Sequence, residues 1–302
     1  MKRKVVVVGL GHLGSHVIQA LALRGAANEI VGIDYNKKKQ YGEISDLQDM
    51  MACLSNQCQI RGGDYSEVSD ADVVMITVAG KVYDEDRLME LDGTLTIIDQ
   101  ILPEIQKNNF KGTFVVSSNP CDLVAYYIAR KTGNTTIATG TALDSIRLRT
   151  RIGLALNVAP SSVEAYCLGE HGDSQVVVWS QAKVGGAPVD QMLTAEQMAE
   201  IEQDTVMAGC NIALAKGCTE FGIGQAASEI IQAILHDEHK VIPCAVDPEG
   251  YLGESGCFAS IPCVVSKEGA KPLPEMKVTE DEKARFHKSC QMMRDVIQQK
   301  GM

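Results

Sequence analysis

The chain opens on four consecutive valines at positions 5–8 and halts at Gly9. An unbroken β-branched run of this kind predicts a strand buried on both faces of a parallel sheet. Leu13, Val17, Ala20 and Leu21 then recur at helical spacing. A helix therefore opens at the second glycine of Gly9-Leu10-Gly11-His12-Leu13-Gly14. Positions 29–33 read as a second strand with Asp34 at its end, and Leu47, Met50, Met51 and Leu54 mark another helix. Positions 72–77 form a third apolar strand, and 87–109 follow a helical pattern that Pro103 is placed to kink or split. A strand over 112–117, a helix over 121–132 and a short strand over 137–139 complete the alternation. This order predicts an α/β fold: a Rossmann-type, doubly wound and mostly parallel sheet.

Past Thr141 the character changes. A helix carries 144–156, and 163–168 and 175–180 read as strands. A long helix spans 195–216 and another 224–236, and strands at 240–246 and 258–265 flank the turn Asp247-Pro248-Glu249-Gly250. The last helix starts at Thr279, where Glu282 three residues on completes a capping box. The expected division is a nucleotide-binding domain over 1–141 and an α+β catalytic domain over 142–302.

Composition narrows the class. At 302 residues, 45% hydrophobic and 22% charged, the chain has the make-up of a soluble globular enzyme. A formal charge of -11 argues against nucleic acid and anionic membranes as partners. The ten cysteines include no CxxC spacing, so they read as free thiols of a reducing compartment, and no ligand cluster suggests a metal. The first apolar run is too short for a signal peptide and no stretch is long enough to span a membrane, so a cytoplasmic protein is expected.

Two sets of residues carry chemistry. Gly9-x-Gly11-x-x-Gly14 follows a buried strand and opens a helix, and an acid, Asp34, ends the next strand. Gly9 permits the tight turn, Gly11 lets backbone approach a pyrophosphate, and Gly14 lets helix pack on strand. The helix N-terminus offers N–H groups to the phosphates. Asp34 would accept from ribose hydroxyls and repel a 2'-phosphate, which favours NAD over NADP. Lys37, Lys38 and Lys39 read as a solvated first helical turn. The second set is Leu143-Asp144-Ser145-Ile146-Arg147 with Gly169-Glu170-His171-Gly172-Asp173. Asp144 and Arg147 share a helix face. An Arg fork, a His that titrates near neutrality and an Asp to hold it can move a proton at a hydroxyl carbon beside a carboxylate.

With Thr77-Val78-Ala79-Gly80, Arg87, Asn119-Pro120-Cys121-Asp122 and Lys216-Gly217-Cys218-Thr219, these motifs occur in the order seen in L-lactate and malate dehydrogenases. The chain resembles that superfamily over its whole length, and L-lactate and L-2-hydroxyisocaproate dehydrogenases most. The resemblance implies an NAD-dependent L-2-hydroxyacid dehydrogenase, with hydride passing reversibly between NADH and a 2-oxo monocarboxylic acid. It implies His171 as acid/base, Asp144 as its holder, and Arg87 as the residue that polarises the carbonyl. Arg147 would clamp the substrate carboxylate, with Asn119 and Thr219 also at the substrate. Gly9, Gly11, Leu13, Gly14, Asp34, Ala79, Gly80 and Asn119 would hold the cofactor. The Asn119–Pro120 bond is expected to be cis, as in family members, and the chain to form a homo-oligomer, tetramer or dimer. On residues alone, Asn119 also reads as a helix cap before Pro120.

The loop between Gly80 and Arg87 is shorter than its family counterparts. It offers Val82 or Tyr83 where malate enzymes carry an arginine that reads a second carboxylate, which speaks against oxaloacetate. Ala208 and Gly209 stand where the family lines its side-chain pocket, and their size leaves room for a group larger than methyl. The rival readings are malate dehydrogenase, the NAD-dependent glycosidases and, of another class, a non-catalytic NAD-binding regulatory protein. The joint presence of Asp144, Arg147 and His171 argues against the regulatory protein.

Overall fold

The computed structural model describes residues 3–80 and 87–302, except for the side chains of 87–89. Val82 and Tyr83 lie outside the described residues, and only the backbone of Arg87 lies within them. The order begins β1 (Lys4–Val8), α1 (His12–Arg24), β2 (Glu29–Ile33), α2 (Lys37–Met51), β3 (Gln59–Gly62), β4 (Val73–Ile76), α3 (Arg87–Lys107), β5 (Thr113–Val116), α4 (Cys121–Thr132) and β6 (Thr136–Ala138). It continues with α5 (Ala142–Leu156), β7 (Val163–Glu164), β8 (Cys167–Leu168), β9 (Val176–Val177), β10 (Lys183–Val184), β11 (Ala187–Pro188) and α6 (Ala195–Lys216). Last come α7 (Phe221–His236), β12 (Lys240–Val246), β13 (Ala259–Ser266), β14 (Gly269–Pro272) and α8 (Glu280–Lys300).

The chain divides into two compact units. The first holds the described residues up to Thr139 together with Glu220–Lys240 and Val265–Ala270. Within it β3-β2-β1-β4-β5-β6 pair in parallel throughout. This strand order, with the chain reversing direction beside β1, is that of a dinucleotide-binding sheet. The valine run explains β1: Val5, Val6 and Val7 are fully buried, as a strand covered on both sides requires. α3 runs through Pro103 without a break. α7 packs against α1, where the Phe221 and His16 rings meet edge to face, and its Ile223, Ala227, Ile230, Ile231 and Ile234 are buried. Gly224 makes the approach close, since a Cβ there would meet the His16 backbone at 3.2 Å. The first unit thus includes a helix from well beyond position 141.

A buried charge closes one end of β1. Lys4 is 2% exposed and its ammonium meets Glu67 at 2.9 Å and also Asp70. Arg61 on β3 reaches Glu29 at 2.7 Å and Glu67 at 2.7 Å. The Arg61 hydrogen bond, with help from Lys4, outweighs burial and holds the Glu67 carboxyl down at about 2 against an ordinary 4.5. A depressed carboxyl stabilises the fold fully above its unfolded value and loses that contribution as pH falls from about 4.5 towards about 2. Glu67→Gln is therefore expected to unfold at lower urea than the parent at neutral pH, with the two stability curves converging as pH approaches 2. Parallel curves across that range would contradict the assignment.

The second unit holds Gly140–Thr219, Val241–Val264 and Lys271–Met302. α5 and α6 pack together, and a core of Leu148, Ile152, Val163, Cys167, Val177 and Val189 joins α5 to the short strands. β7-β10-β11 and β8-β9 form two small antiparallel sheets. The two strands expected over 163–168 and 175–180 are fragments instead. The first is interrupted after Glu164, and the second ends at Val177 before a 3-10 turn over Trp179–Gln181. β12 and β13 are neighbours. The expected capping box opens α8: Thr279 accepts from the Glu282 N–H at 3.2 Å, and Glu282 accepts from the Thr279 N–H at 2.8 Å. All ten cysteines are free. Among the described residues, no helix is long and apolar enough to cross a membrane.

Candidate active site

In the first unit β1 runs into the glycine turn. Gly9 has φ +99°, a left-handed backbone that its lack of Cβ allows. Gly14 is required by packing, because a Cβ there would lie 1.9 Å from the Gly9 carbonyl oxygen and 2.9 Å from Thr77 Oγ1. The Thr77 hydroxyl lies 2.7 Å from the Gly9 carbonyl oxygen and 3.1 Å from that of Val8, which ties the end of β4 to the turn. Around Gly11 a Cβ would meet nothing within 4 Å, so backbone faces open space. α1 starts beside it with no side-chain cap and no acid in its first turn. Its N-terminal N–H groups and positive dipole end suit a phosphate.

Asp34 is 7% exposed. Its Oδ2 accepts from the Leu10 N–H and its Oδ1 from the Asn36 N–H, both at 2.8 Å. A carboxylate offers about four acceptor positions, so both oxygens retain capacity for ribose hydroxyls. Gly11's open cradle, the uncapped helix and this carboxylate fit a dinucleotide. Asn36 caps α2 by accepting from the N–H groups of Lys38 and Lys39, and Lys37–Lys39 form the exposed first turn. His12 is exposed, with Nδ1 3.1 Å from Glu220.

Ala79 and Gly80 follow β4, and Gly80 lies so close to α3 that a Cβ would meet the Gly93 carbonyl carbon at 2.6 Å. The Asn119–Pro120 peptide is cis. Pro120 itself holds the cap position of α4, so Asn119 stands outside the helix and does not cap it. Its side chain is exposed and has no hydrogen-bond partner among the described residues. Its carbonyl accepts from the fully buried Thr94 hydroxyl at 3.0 Å.

In the second unit Asp144, Arg147 and His171 come together. Asp144 is 1% exposed and lies in the first turn of α5. Its Oδ2 is 2.5 Å from His171 Nδ1 and its Oδ1 accepts from Arg147 Nη1 at 2.9 Å. Burial alone would push this carboxyl up. The charges and hydrogen bonds of His171 and Arg147 outweigh it and hold Asp144 below its ordinary value. The anion in turn orients the imidazole with Nδ1 as donor. Arg147, 9% exposed, makes no other side-chain hydrogen bond among the described residues, so its second terminal nitrogen is open to an anion. Gly209 on α6 faces the guanidinium, since a Cβ there would lie 3.5 Å from Nη1 and 3.6 Å from Nη2. Thr219, half-buried, follows the end of α6.

Several residues that hold this geometry carried no signal in the sequence. Ser145 Oγ accepts from the Cys167 N–H at 2.9 Å, which stitches α5 to β8. Ser260 on β13 accepts from the Thr141 N–H through its hydroxyl at 2.8 Å. The same residue exchanges two backbone hydrogen bonds with Gly169 at 2.9 and 2.8 Å. Serines in a helix or strand have no spacing that separates these roles from packing. Only the pairing of the segments reveals them.

A dinucleotide-binding unit and a second unit with an Asp-held imidazole beside an open guanidinium define the class: an NAD-dependent dehydrogenase. Residues 3–138 match the NAD binding domain of lactate/malate dehydrogenases, and residues 141–301 match the alpha/beta C-terminal domain of the same enzymes. The chain belongs to the lactate/malate dehydrogenase family. It is 35% identical to an L-lactate dehydrogenase of Fusobacterium nucleatum over 98% of this chain and 96% of that protein. It is also 35% identical to L-lactate dehydrogenase 1 of Bifidobacterium longum, over 97% and 96%. The ligand-bound crystal structure of the minor L-lactate dehydrogenase of Enterococcus mundtii superposes with a TM-score of 0.95 at 36% identity, covering 99% of this chain and 98% of that one.

Proposed function

We propose that this protein is an L-2-hydroxyacid dehydrogenase of the L-lactate or L-2-hydroxyisocaproate type, acting on a 2-oxo monocarboxylic acid. The observation that carries the reading is the single buried carboxylate of Asp144, which orients both an imidazole and a guanidinium that has donors to spare. An aligned arginine is the residue suited to grip a carboxylate in two parallel hydrogen bonds. NADH supplies the hydride. His171 Nε2 gives its proton to the carbonyl oxygen in reduction and takes it back in oxidation, and Asp144 stabilises the imidazolium. Arg147 holds the substrate carboxylate, Thr219 lines the substrate, and Gly209 keeps the guanidinium face clear. Gly9, Gly11, Leu13, Gly14, Asp34, Ala79 and Gly80 hold the cofactor, and the unengaged Asn119 amide serves nicotinamide and substrate oxygen. Arg87, at the start of α3, polarises the carbonyl. The functional division falls near Thr141, with the nucleotide before it and the substrate after it.

The side-chain reader in 81–86 is Val82 or Tyr83, so a second carboxylate finds no partner arginine there. NADH oxidation with pyruvate, 2-oxoisocaproate, phenylpyruvate and oxaloacetate side by side is expected to give oxaloacetate the lowest kcat/KM. Oxaloacetate as the best substrate would establish the malate reading instead. The protein acts in the cytoplasm as a homo-oligomer, a tetramer or dimer. Leu214, 78% exposed near the end of α6 with Ile212 beside it, supports association between copies.

A further inference from the structure

We propose that Ser289, on the C-terminal helix α8, is a positioning residue for His171; the inference rests on the acid/base role of that histidine. Ser289 is fully buried. Its Oγ accepts from the N–H of Glu170, the residue directly before His171, at 2.9 Å. The same oxygen lies 2.8 Å from Ser174 Oγ. The direction of that bond follows from proton count. The Ser174 hydroxyl has one proton, and it goes to Glu170 Oε2 at 2.7 Å. Ser289 is therefore the donor to Ser174. One hydroxyl thus receives from the first residue of the segment 170–174 and gives to the last, with His171 between them.

Both partners of this hydroxyl are fixed. On the loop side, Gly169 has φ +86° and pairs by backbone with Ser260. A Cβ on Gly169 would lie 2.6 Å from Ser289 Oγ, so the glycine admits the serine as well as the turn. On the helix side, Glu282 near the start of α8 accepts from the Ser180 N–H at 3.0 Å and its hydroxyl at 2.6 Å. Around Ser289, the buried Glu254 carboxylate takes His287 Nδ1 at 2.5 Å and Arg294 Nη1 at 2.6 Å. α8 is anchored on either side of the residue that reaches the catalytic loop. The residue that follows segment 170–174 also folds back on it, because the Gln175 amide donates to the Gly172 carbonyl at 3.0 Å. Removing the Ser289 hydroxyl leaves the Glu170 N–H without its acceptor and frees the segment. His171 then spends less time on Asp144 and less time aligned with the oxygen it protonates. Misplacement of this kind slows the chemical step more than it weakens binding.

Ser289→Ala is expected to lower kcat by about 10- to 100-fold, the scale of an ångström-level misalignment. KM for the 2-oxo acid should stay within about threefold, and the isotope effect on kcat with 4-deuterated NADH should rise as the chemical step becomes limiting. Ser174→Ala removes the lower half of the network without touching the core and should give a smaller change in the same three readings. Its loss should be less than additive with that of Ser289→Ala. A purely structural serine would lower the thermal midpoint while leaving kcat per folded site and the isotope effect at parental values in both variants, and that result would overturn the proposal. Failure of the parent enzyme to reduce any 2-oxo acid would instead remove the functional reading on which it stands.

Discussion

Replacing His171 by asparagine is expected to lower kcat by about 10²- to 10⁴-fold, the usual worth of a positioned general acid, with little change in KM or in NADH binding. The reason lies in the protonation states. Asp144 remains ionised at neutral pH because His171 and Arg147 outweigh its burial. That anion keeps Nδ1 of the imidazole as donor, and the proposed mechanism has Nε2 cycle a proton with the substrate oxygen. Asparagine retains a side-chain amide within the same volume and can still donate to Asp144, so the site should keep its shape. It has no proton to deliver in the transition state. The effect therefore falls on turnover, and the pH dependence of the parent's kcat/KM should flatten in the variant. Steady-state kinetics across pH check both points. A variant with parental turnover would remove His171 from the mechanism.

The second large effect is expected at Arg147, and of the opposite kind. Arg147→Gln should raise KM for the 2-oxo acid by about 10²- to 10³-fold, because removing one member of a buried hydrogen-bonded charge pair costs about 2–5 kcal/mol. The open guanidinium nitrogen has no protein partner among the described residues, so its binding energy is available to a ligand carboxylate. Arg147→Lys keeps a positive charge near Asp144 but loses the planar fork, and should fall between the two. A 2-oxo ester or amide lacks the carboxylate, so parent and variant should handle it nearly alike. Equal selectivity for acid over amide in parent and variant would show that the carboxylate binds elsewhere. His171→Asn lowers kcat and Arg147→Gln raises KM, and the contrast separates proton delivery from anion binding.

The nucleotide half was legible because its signals are local. Four valines can only be buried, and the glycines of the turn are dictated by contacts a few residues away, such as Gly14 against the Gly9 carbonyl. β3 escaped notice because Gln59-Ile60-Arg61-Gly62 buries only Ile60 and reads as a polar connection; its place at the sheet edge comes from pairing with β2. In the second half, the runs at 163–168 and 175–180 have strand-like residues, but short fragments and a 3-10 turn suit the packing there better than two long strands. The candidate catalytic side chains were legible as residue types, since few other arrangements need Asp, Arg and His at such motifs. Their supports were not. Ser260 matters through Thr141 and Gly169, and Ser289 through Glu170, partners roughly 90 to 120 positions earlier in the chain, and no periodicity encodes such distances.

α7 has a consequence for how the protein is made. It packs against α1 and buries its isoleucines within the same unit, yet it is translated some two hundred residues after α1. Each fully buried isoleucine contributes about 1.5–3 kcal/mol, so the glycine turn and its helix lack much of their support until α7 has left the ribosome. The nucleotide unit is thus completed by a segment that leaves the ribosome long after its own strands, and a fragment cut near position 141 would lack the helix that packs on α1.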